Sequence, residues 1–465
     1  MTAPFPQSRP LLVKRAGSDA LALLPSLAAL VVIVAYAALL PDGRWQGDEY
    51  LGTALIARGD WAVLFGTFTW APRPIAASVS WLYYLVSDLL DRPLIASFLG
   101  TIWLACLAAV ALAWSGSREQ RPLGVALQLF ALTLLLSIPG EMFYWPVGAA
   151  AYLPCWAGLA AATALHRVSW HQHGAALMVS LGAAVCGTEI GAVTVLAYAG
   201  LYVIVGLARS RSLSPIWPLI PPVLIAFVVC VITLGHRMAP MHEVMQGGYR
   251  LAGHWFGSIA ASVPTFAREF ISIDGVPLSI ACFIKILLFL GFARSNSAAA
   301  PDIVRAPLWG MALLFGAFLS VVLAYHQFGT LCCQRHASLR QGMILLAIVD
   351  FAGLLRLPRY WMRPVILAAV LAGLLVARSK PLLNDWRALP TVIAARTRTW
   401  QSGRQSGDAM VLYVAPAGLI TGGNTIPAGN YERRGDAMWG GAPWYAWGVM
   451  ARFGKHSVAI KPFYN

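Results

Sequence analysis

Residues 21–50 read LALLPSLAAL VVIVAYAALL PDGRWQGDEY. The first twenty of these contain no charged side chain, and about 20 apolar residues in a helix cross the roughly 30 Å hydrocarbon core of a bilayer. The next ten change character at once: Pro41 and Gly43 break the helical pattern, and Asp42, Arg44, Asp48 and Glu49 follow. A membrane span leading into a polar, turn-rich loop is therefore predicted. Lys14 and Arg15 precede the span and Ala35-Tyr36-Ala37 resembles a cleavage site. The apolar core nevertheless exceeds the roughly 7 to 15 residues of a signal peptide, which predicts an uncleaved anchor.

The pattern recurs along the chain. Of the 465 residues, 58% are hydrophobic and 11% charged, where a soluble domain carries about 25% charge. The mean hydropathy is +0.67. Too little polar surface remains for a water-soluble body, which excludes a soluble enzyme, a disordered regulator and a secreted disulfide scaffold. Apolar runs centre in residues 20–40, 93–114, 122–139, 149–166, 174–187, 189–207, 215–235, 276–293, 306–325, 340–356 and 364–378. The predicted fold class is an all-α polytopic membrane protein with about 11 transmembrane helices. The +15 charge lacks a basic tract and belongs to loops that flank spans, not to nucleic-acid binding. Five cysteines sit in apolar runs as small hydrophobes, and the adjacent Cys332 and Cys333 have poor geometry for an ordinary staple.

With the N-terminus cytoplasmic, short loops holding Arg118, Arg121, Arg167, Arg209, Arg211, Arg294 and Arg305 face inward, and longer loops with Asp48, Glu49, Glu141, Glu189 and Glu269 face outward. An odd number of spans places the C-terminus outside. Residues 1–379 form the transmembrane domain, whose outer loop 41–92 carries two interfacial helices over residues 50–66 and 74–90, rich in Trp and Tyr. Residues 380–465 form a small α/β outer domain, with an amphipathic helix over 384–402, strands over 410–415 and 457–460, and Gly-rich loop between them.

Candidate chemistry lies in the outer loops. The carboxylates of Asp48 and Glu49 can serve as general base, cation ligand or arginine partner; equally, they simply mark a non-cytoplasmic loop. Glu141 lies beside Trp145 and Tyr152, whose aromatic faces suit a sugar ring or an interfacial belt. Arg44, Arg73, Arg335 and Arg340, with His326 nearby, offer planar donors to phosphate oxygens. Glu189 lies near the outer end of its span, whereas Lys285 and Asp350 lie deep enough to neutralise one another between helices. No Walker A sequence, zinc motif or G-x-S-x-G elbow is present.

The order of parts resembles the integral-membrane GT-C glycosyltransferases, particularly a bacterial branch that uses polyprenyl-phosphate sugars. A first span is followed by Gly47-Asp48-Glu49-Tyr50, a long outer loop with Arg73, and the Tyr144-Trp145-x-x-Gly148-x-x-x-Tyr152 stretch. The resemblance implies inverting transfer of a sugar from a polyprenyl-phosphate donor to a glycan, lipid or protein acceptor at the outer face of a bacterial inner membrane. It assigns the general base to Asp48, or secondarily Glu49, and the donor phosphate to Arg73, Arg335 and Arg340. Some relatives use a divalent cation, Mg or Mn, and others none; no complete signature is matched in the later loops. The alternative is a transporter or flippase of a lipid-linked or anionic solute, which the prolines at 218, 221 and 222 and the Lys285/Asp350 pair accommodate. A third reading, an acyltransferase or polymerase-type enzyme, would use His326 or His336 as base.

Overall fold

The computed structural model describes residues 12–115, 121–168, 173–208, 216–237, 254–295, 305–331, 333–357, 362–422, 426–433 and 443–463. Its helices are α1 (Leu12–Ala37), α2 (Gly47–Ala57), α3 (Trp61–Trp70), α4 (Pro74–Leu89), α5 (Ile95–Trp114), α6 (Pro122–Leu136), α7 (Gly140–Phe143), α8 (Pro146–Val168), α9 (Gly174–Gly187), α10 (Glu189–Ala208), α11 (Ile220–Arg237), α12 (Trp255–Ile271), α13 (Leu278–Gly291), α14 (Arg305–Phe328), α15 (Gln334–Ala352), α16 (Met362–Arg404) and α17 (Trp444–Phe453). Strands β1 (Arg294–Ser295) and β2 (Arg356–Leu357) form a short parallel pair. Strands β3 (Ala409–Val414), β4 (Gly429–Glu432) and β5 (Ser457–Pro462) form a sheet of order β3-β5-β4, parallel at the first junction and antiparallel at the second.

Each apolar run of the sequence falls on a helix. Among the described residues, 7 helices are long and apolar enough to cross a membrane, those of α1, α5, α8, α10, α11, α14 and α16. Helices α6, α9 and α13 are apolar but shorter, and α15 carries Arg335, His336, Arg340, Gln341 and Asp350 among its apolar residues. The chain is thus a multi-pass membrane protein. Helix α8 is its axis: 89% of its apolar window is buried, against 33% for α1 and α11. Outward on α1, α5 and α11 stand Val34, Leu112 and Phe227, exposed large apolar side chains that water would penalise and lipid does not.

Three corrections follow. The loop after the first span holds three helices, because the predicted 50–66 helix is cut at Gly59. This residue has φ +69°, and the amides of Gly59 and Asp60 bond back to Ile56 (2.9 Å) and Leu55 (2.9 Å), a Schellman stop. Residues 444–453, read as Gly-rich loop, are the helix α17, stabilised by burial of Trp447, Val449, Met450 and Ala451 rather than by local propensity. Lys285 and Asp350 do not pair. Lys285 donates to the carbonyls of Glu269 (3.3 Å) and Phe270, while Asp350 accepts the Gly310 amide at 2.9 Å.

The predicted 384–402 helix is continuous with the last span. Forty-three residues at about 1.5 Å each extend roughly 64 Å, about twice the hydrocarbon thickness, so the C-terminal half of α16 stands clear of the membrane. That C-terminal half holds the sheet against the loop after the first span. Asp385 accepts the amides of Ile420 (3.1 Å) and Thr421 (2.8 Å), and Arg396 donates to the carbonyls of Pro41 and Gly43, both at 3.0 Å. Cys333 is disulfide-bonded, and residue 332 lies outside the described residues.

Candidate active site

Helix α2 decides what its two carboxylates can do. Glu49, fully buried, turns back over the helix start: one carboxyl oxygen accepts the Gln46 amide (2.7 Å) and the other the Val147 amide (3.2 Å). It therefore caps α2 and ties it to the start of α8. Asp48 precedes it by one residue, about 100° round the helix, and points elsewhere. Its half-buried carboxylate has no hydrogen-bond partner among the described residues.

The two carboxyls titrate differently for that reason. Burial pushes Asp48 above the usual carboxylate range, opposed by the nearby charges of Arg335 and Arg73. Burial, and then Asp48 itself, pushes Glu49 up to about 8, against the pull of the Gln46 amide, Trp145 and the Val147 amide. The less buried Asp48, with two cations in reach, ionises first, and Glu49 keeps the proton near neutral pH.

Arg73 sits just before Pro74 at the start of α4, in the non-helical conformation that a following proline favours. It grips Glu189, at the start of α10, through both carboxylate oxygens, Nε to Oε2 at 2.7 Å and Nη2 to Oε1 at 2.6 Å. Burial alone would lower its basicity, but Glu189 outweighs it and holds Arg73 charged. The Arg73 guanidinium lies 5.9 Å from the Tyr152 ring, and the His336 ring lies 5.5 Å from the same tyrosine. Arg335 reaches Glu141 at 3.3 Å and covers the Trp145 ring at 4.8 Å.

The structure thus brings together Asp48, Arg73, Glu141, Trp145, Tyr152, Glu189 and Arg335, drawn from elements far apart in the chain. His336, which the sequence offered only as the base of the third reading, joins them beside Tyr152. Three candidates lie elsewhere. Arg44 is packed beside Gly422, in the field of Asp42 and Asp385. Arg340 is bound through two bonds of 2.6 Å to Glu269, and His326 stacks on Trp255 at 3.8 Å. Among the described residues no three His, Cys, Asp or Glu side chains group as a metal site.

The C-terminal sheet region meets the start of α2 through α17. A methyl group on Gly47 would lie 2.2 Å from the Trp444 ring and 2.7 Å from the Cα of Tyr445. Because backbone cannot step aside as a side chain can, Gly47→Ala is expected to displace α17 and destabilise the protein by about 1–3 kcal/mol. Its thermal midpoint should then fall below that of wild type; an unchanged midpoint would show that the close approach is dispensable.

Beneath α4, an apolar groove of about 670 Å³ runs between α5, α8 and α9, lined by Val79, Cys106, Pro154, Gly158 and Ala183. Val79 lies six residues beyond Arg73, about 9 Å along the helix. An ionisable carboxylate with no structural duty, two guanidiniums and aromatic faces together can draw a proton from a hydroxyl beside an anionic group. Comparison with protein-family models, curated proteins and solved structures finds no match to this chain.

Proposed function

We propose that the protein is an inverting glycosyltransferase that moves a sugar from a polyprenyl-phosphate donor to a glycan, lipid or protein hydroxyl. The observation that carries the reading is the Asp48 carboxylate, which has no hydrogen-bond partner among the described residues and lies in the field of Arg73 and Arg335. In this mechanism Asp48 takes the proton of the acceptor hydroxyl as its oxygen attacks the anomeric carbon. The bond from that carbon to the phosphate oxygen breaks on the opposite side, and polyprenyl phosphate leaves with its charge facing Arg73 and Arg335. Trp145 and Tyr152 offer faces to the sugar, and the apolar groove past Val79 offers an environment for the isoprenoid.

The same reading takes α6, α9, α13 and α15 as further crossings, eleven in total. The N-terminus is cytoplasmic, and the carboxylate site and outer domain lie on the extracytoplasmic face of a bacterial inner membrane. The basic inner loops of the sequence support that orientation. The test is transfer from radiolabelled polyprenyl-phosphate hexose to membrane extract by the purified protein, with and without EDTA. Incorporation supports the transferase, and the EDTA arm decides metal dependence. Donor binding without incorporation from any of several donors would overturn it in favour of a lipid-linked-solute transporter.

A further inference from the structure

Helix α12 is polar on the side that faces the protein and apolar on the side that faces away. Ser258 and Ser262 are fully buried, and their hydroxyls donate to the carbonyls of His254 (2.8 Å) and Ser258 (2.6 Å). Thr265 meets the Tyr325 hydroxyl of α14 at 3.1 Å. Outward, from Trp255 to Ala267, no exposed position carries a polar side chain. Phe256 is 92% exposed, and Ile259 and Val263 follow it on the same face at helical spacing. A helix bathed in water has the opposite arrangement, apolar toward the core and polar toward solvent.

Two contacts fix how α12 lies. At its start Trp255 stacks on His326 of α14, with ring centroids 3.8 Å apart, and near its end Glu269 takes two bonds of 2.6 Å from Arg340 of α15. Helices α14 and α15 run side by side in opposite directions, with the Gly310 amide on the Asp350 carboxylate at 2.9 Å. Counting from that pair, Arg340 stands level with Ser320. The two contacts are therefore about 9 Å apart along the spans, whereas the fourteen residues from Trp255 to Glu269 extend about 21 Å. Helix α12 thus runs more across α14 and α15 than along them. It crosses near the membrane edge, since His326 lies about 32 Å beyond Arg305 along α14 and the hydrocarbon is roughly 30 Å thick.

We propose that α12 is an in-plane helix seated in the acyl chains of the leaflet at this end of the spans, with its Phe256, Ile259 and Val263 face in lipid. The occupant is lipid because the apolar face leads through the turn at 272–277 into Leu278, Ile280 and Phe283, which form the exposed apolar side of α13. Trp255 at one end and the exposed Arg268 at the other are residue types that settle at the head-group boundary. The helix also reaches the candidate site: the Arg340 that Glu269 holds lies on α15 five residues beyond Arg335.

The test is footprinting of the purified full-length protein from both phases, in nanodiscs of phosphatidylglycerol and phosphatidylethanolamine. A diazirine dissolved in the lipid supplies carbene label, hydroxyl radicals oxidise from the water, and peptide mass spectrometry reads both. Phe256, Ile259 and Val263 should take carbene label at the level of Leu224 and Phe227, exposed apolar residues of the α11 span. Trp255 and Trp386 are almost equally exposed, 46% and 48%, but Trp386 lies about 36 Å into α16, beyond the hydrocarbon. Oxidation should therefore be several-fold lower at Trp255 than at Trp386. Equal oxidation would place α12 in water and overturn the proposal. Protection from both reagents would overturn it too, since protein, such as a second copy of this chain, would then cover the face. Carbene label confined to one end of the face would overturn the in-plane orientation.

Discussion

Asp48→Asn should lower transfer by about 10²- to 10⁴-fold, the range expected when a general base is removed, with a thermal midpoint equal to or above that of wild type. The two halves of this result have one cause. Asp48 forms no hydrogen bond among the described residues, so asparagine removes none of the contacts seen there. Burial raises its pKa, which means that ionising it works against folding. That contribution is at its best below the ordinary aspartate value and is lost as pH rises through the higher value held in the folded state; asparagine, never ionised, escapes the loss. Wild-type turnover should rise with pH through a value above the usual carboxylate range of about 4, since the base acts only when ionised. Thermal scans and initial rates across pH measure both. Retained turnover in purified Asp48→Asn would remove the base assignment, and a collapsed midpoint would show that the carboxylate is structural after all.

Glu49 makes the contrast. The neighbouring residue has the same chemistry, but it accepts two backbone amides, so its truncation should appear as lost stability before it appears as lost chemistry.

The second large effect is expected at the Arg73–Glu189 pair. Both side chains are mostly buried, 19% and 17% exposed, and they meet through two charge-assisted bonds. Arg73→Met strands the Glu189 carboxylate, at a cost of about 2–4 kcal/mol, slightly below the range for a fully buried pair because some solvent reaches it. Adding Glu189→Gln removes the stranded charge and should recover most of that stability. It should not recover donor binding, because the cation facing the phosphate remains absent. Arg73→Lys keeps the charge but loses the two-pronged geometry, and should fall between. Thermal unfolding and binding of a polyprenyl-phosphate hexose, measured on wild type and the three variants, separate the roles. Full donor binding by the double variant would show that Arg73 serves only the fold.

Membrane class and helix positions were legible in the sequence because they follow from composition summed over long windows, where a run of twenty apolar residues has one economical conformation in lipid. Asp48 was legible too, as a carboxylate just past the first span. The separation of Asp48 from Glu49 was not: it depends on which of them meets the Val147 amide, nearly a hundred residues away. Nor could the pattern tell Arg73, gripped by Glu189 beside Tyr152, from Arg340, gripped by Glu269, or from Arg44 against Gly422. Each is an arginine near a predicted outer helix end, and only the packing of distant helices chooses its partner. The same holds for α17, whose glycine-containing run has weak local preference and becomes helical where Trp447 and Met450 find a buried surface on the first loop. Short-range periodicity reports solvent and lipid exposure, while the identity of a buried charge's partner is a long-range fact settled by the fold.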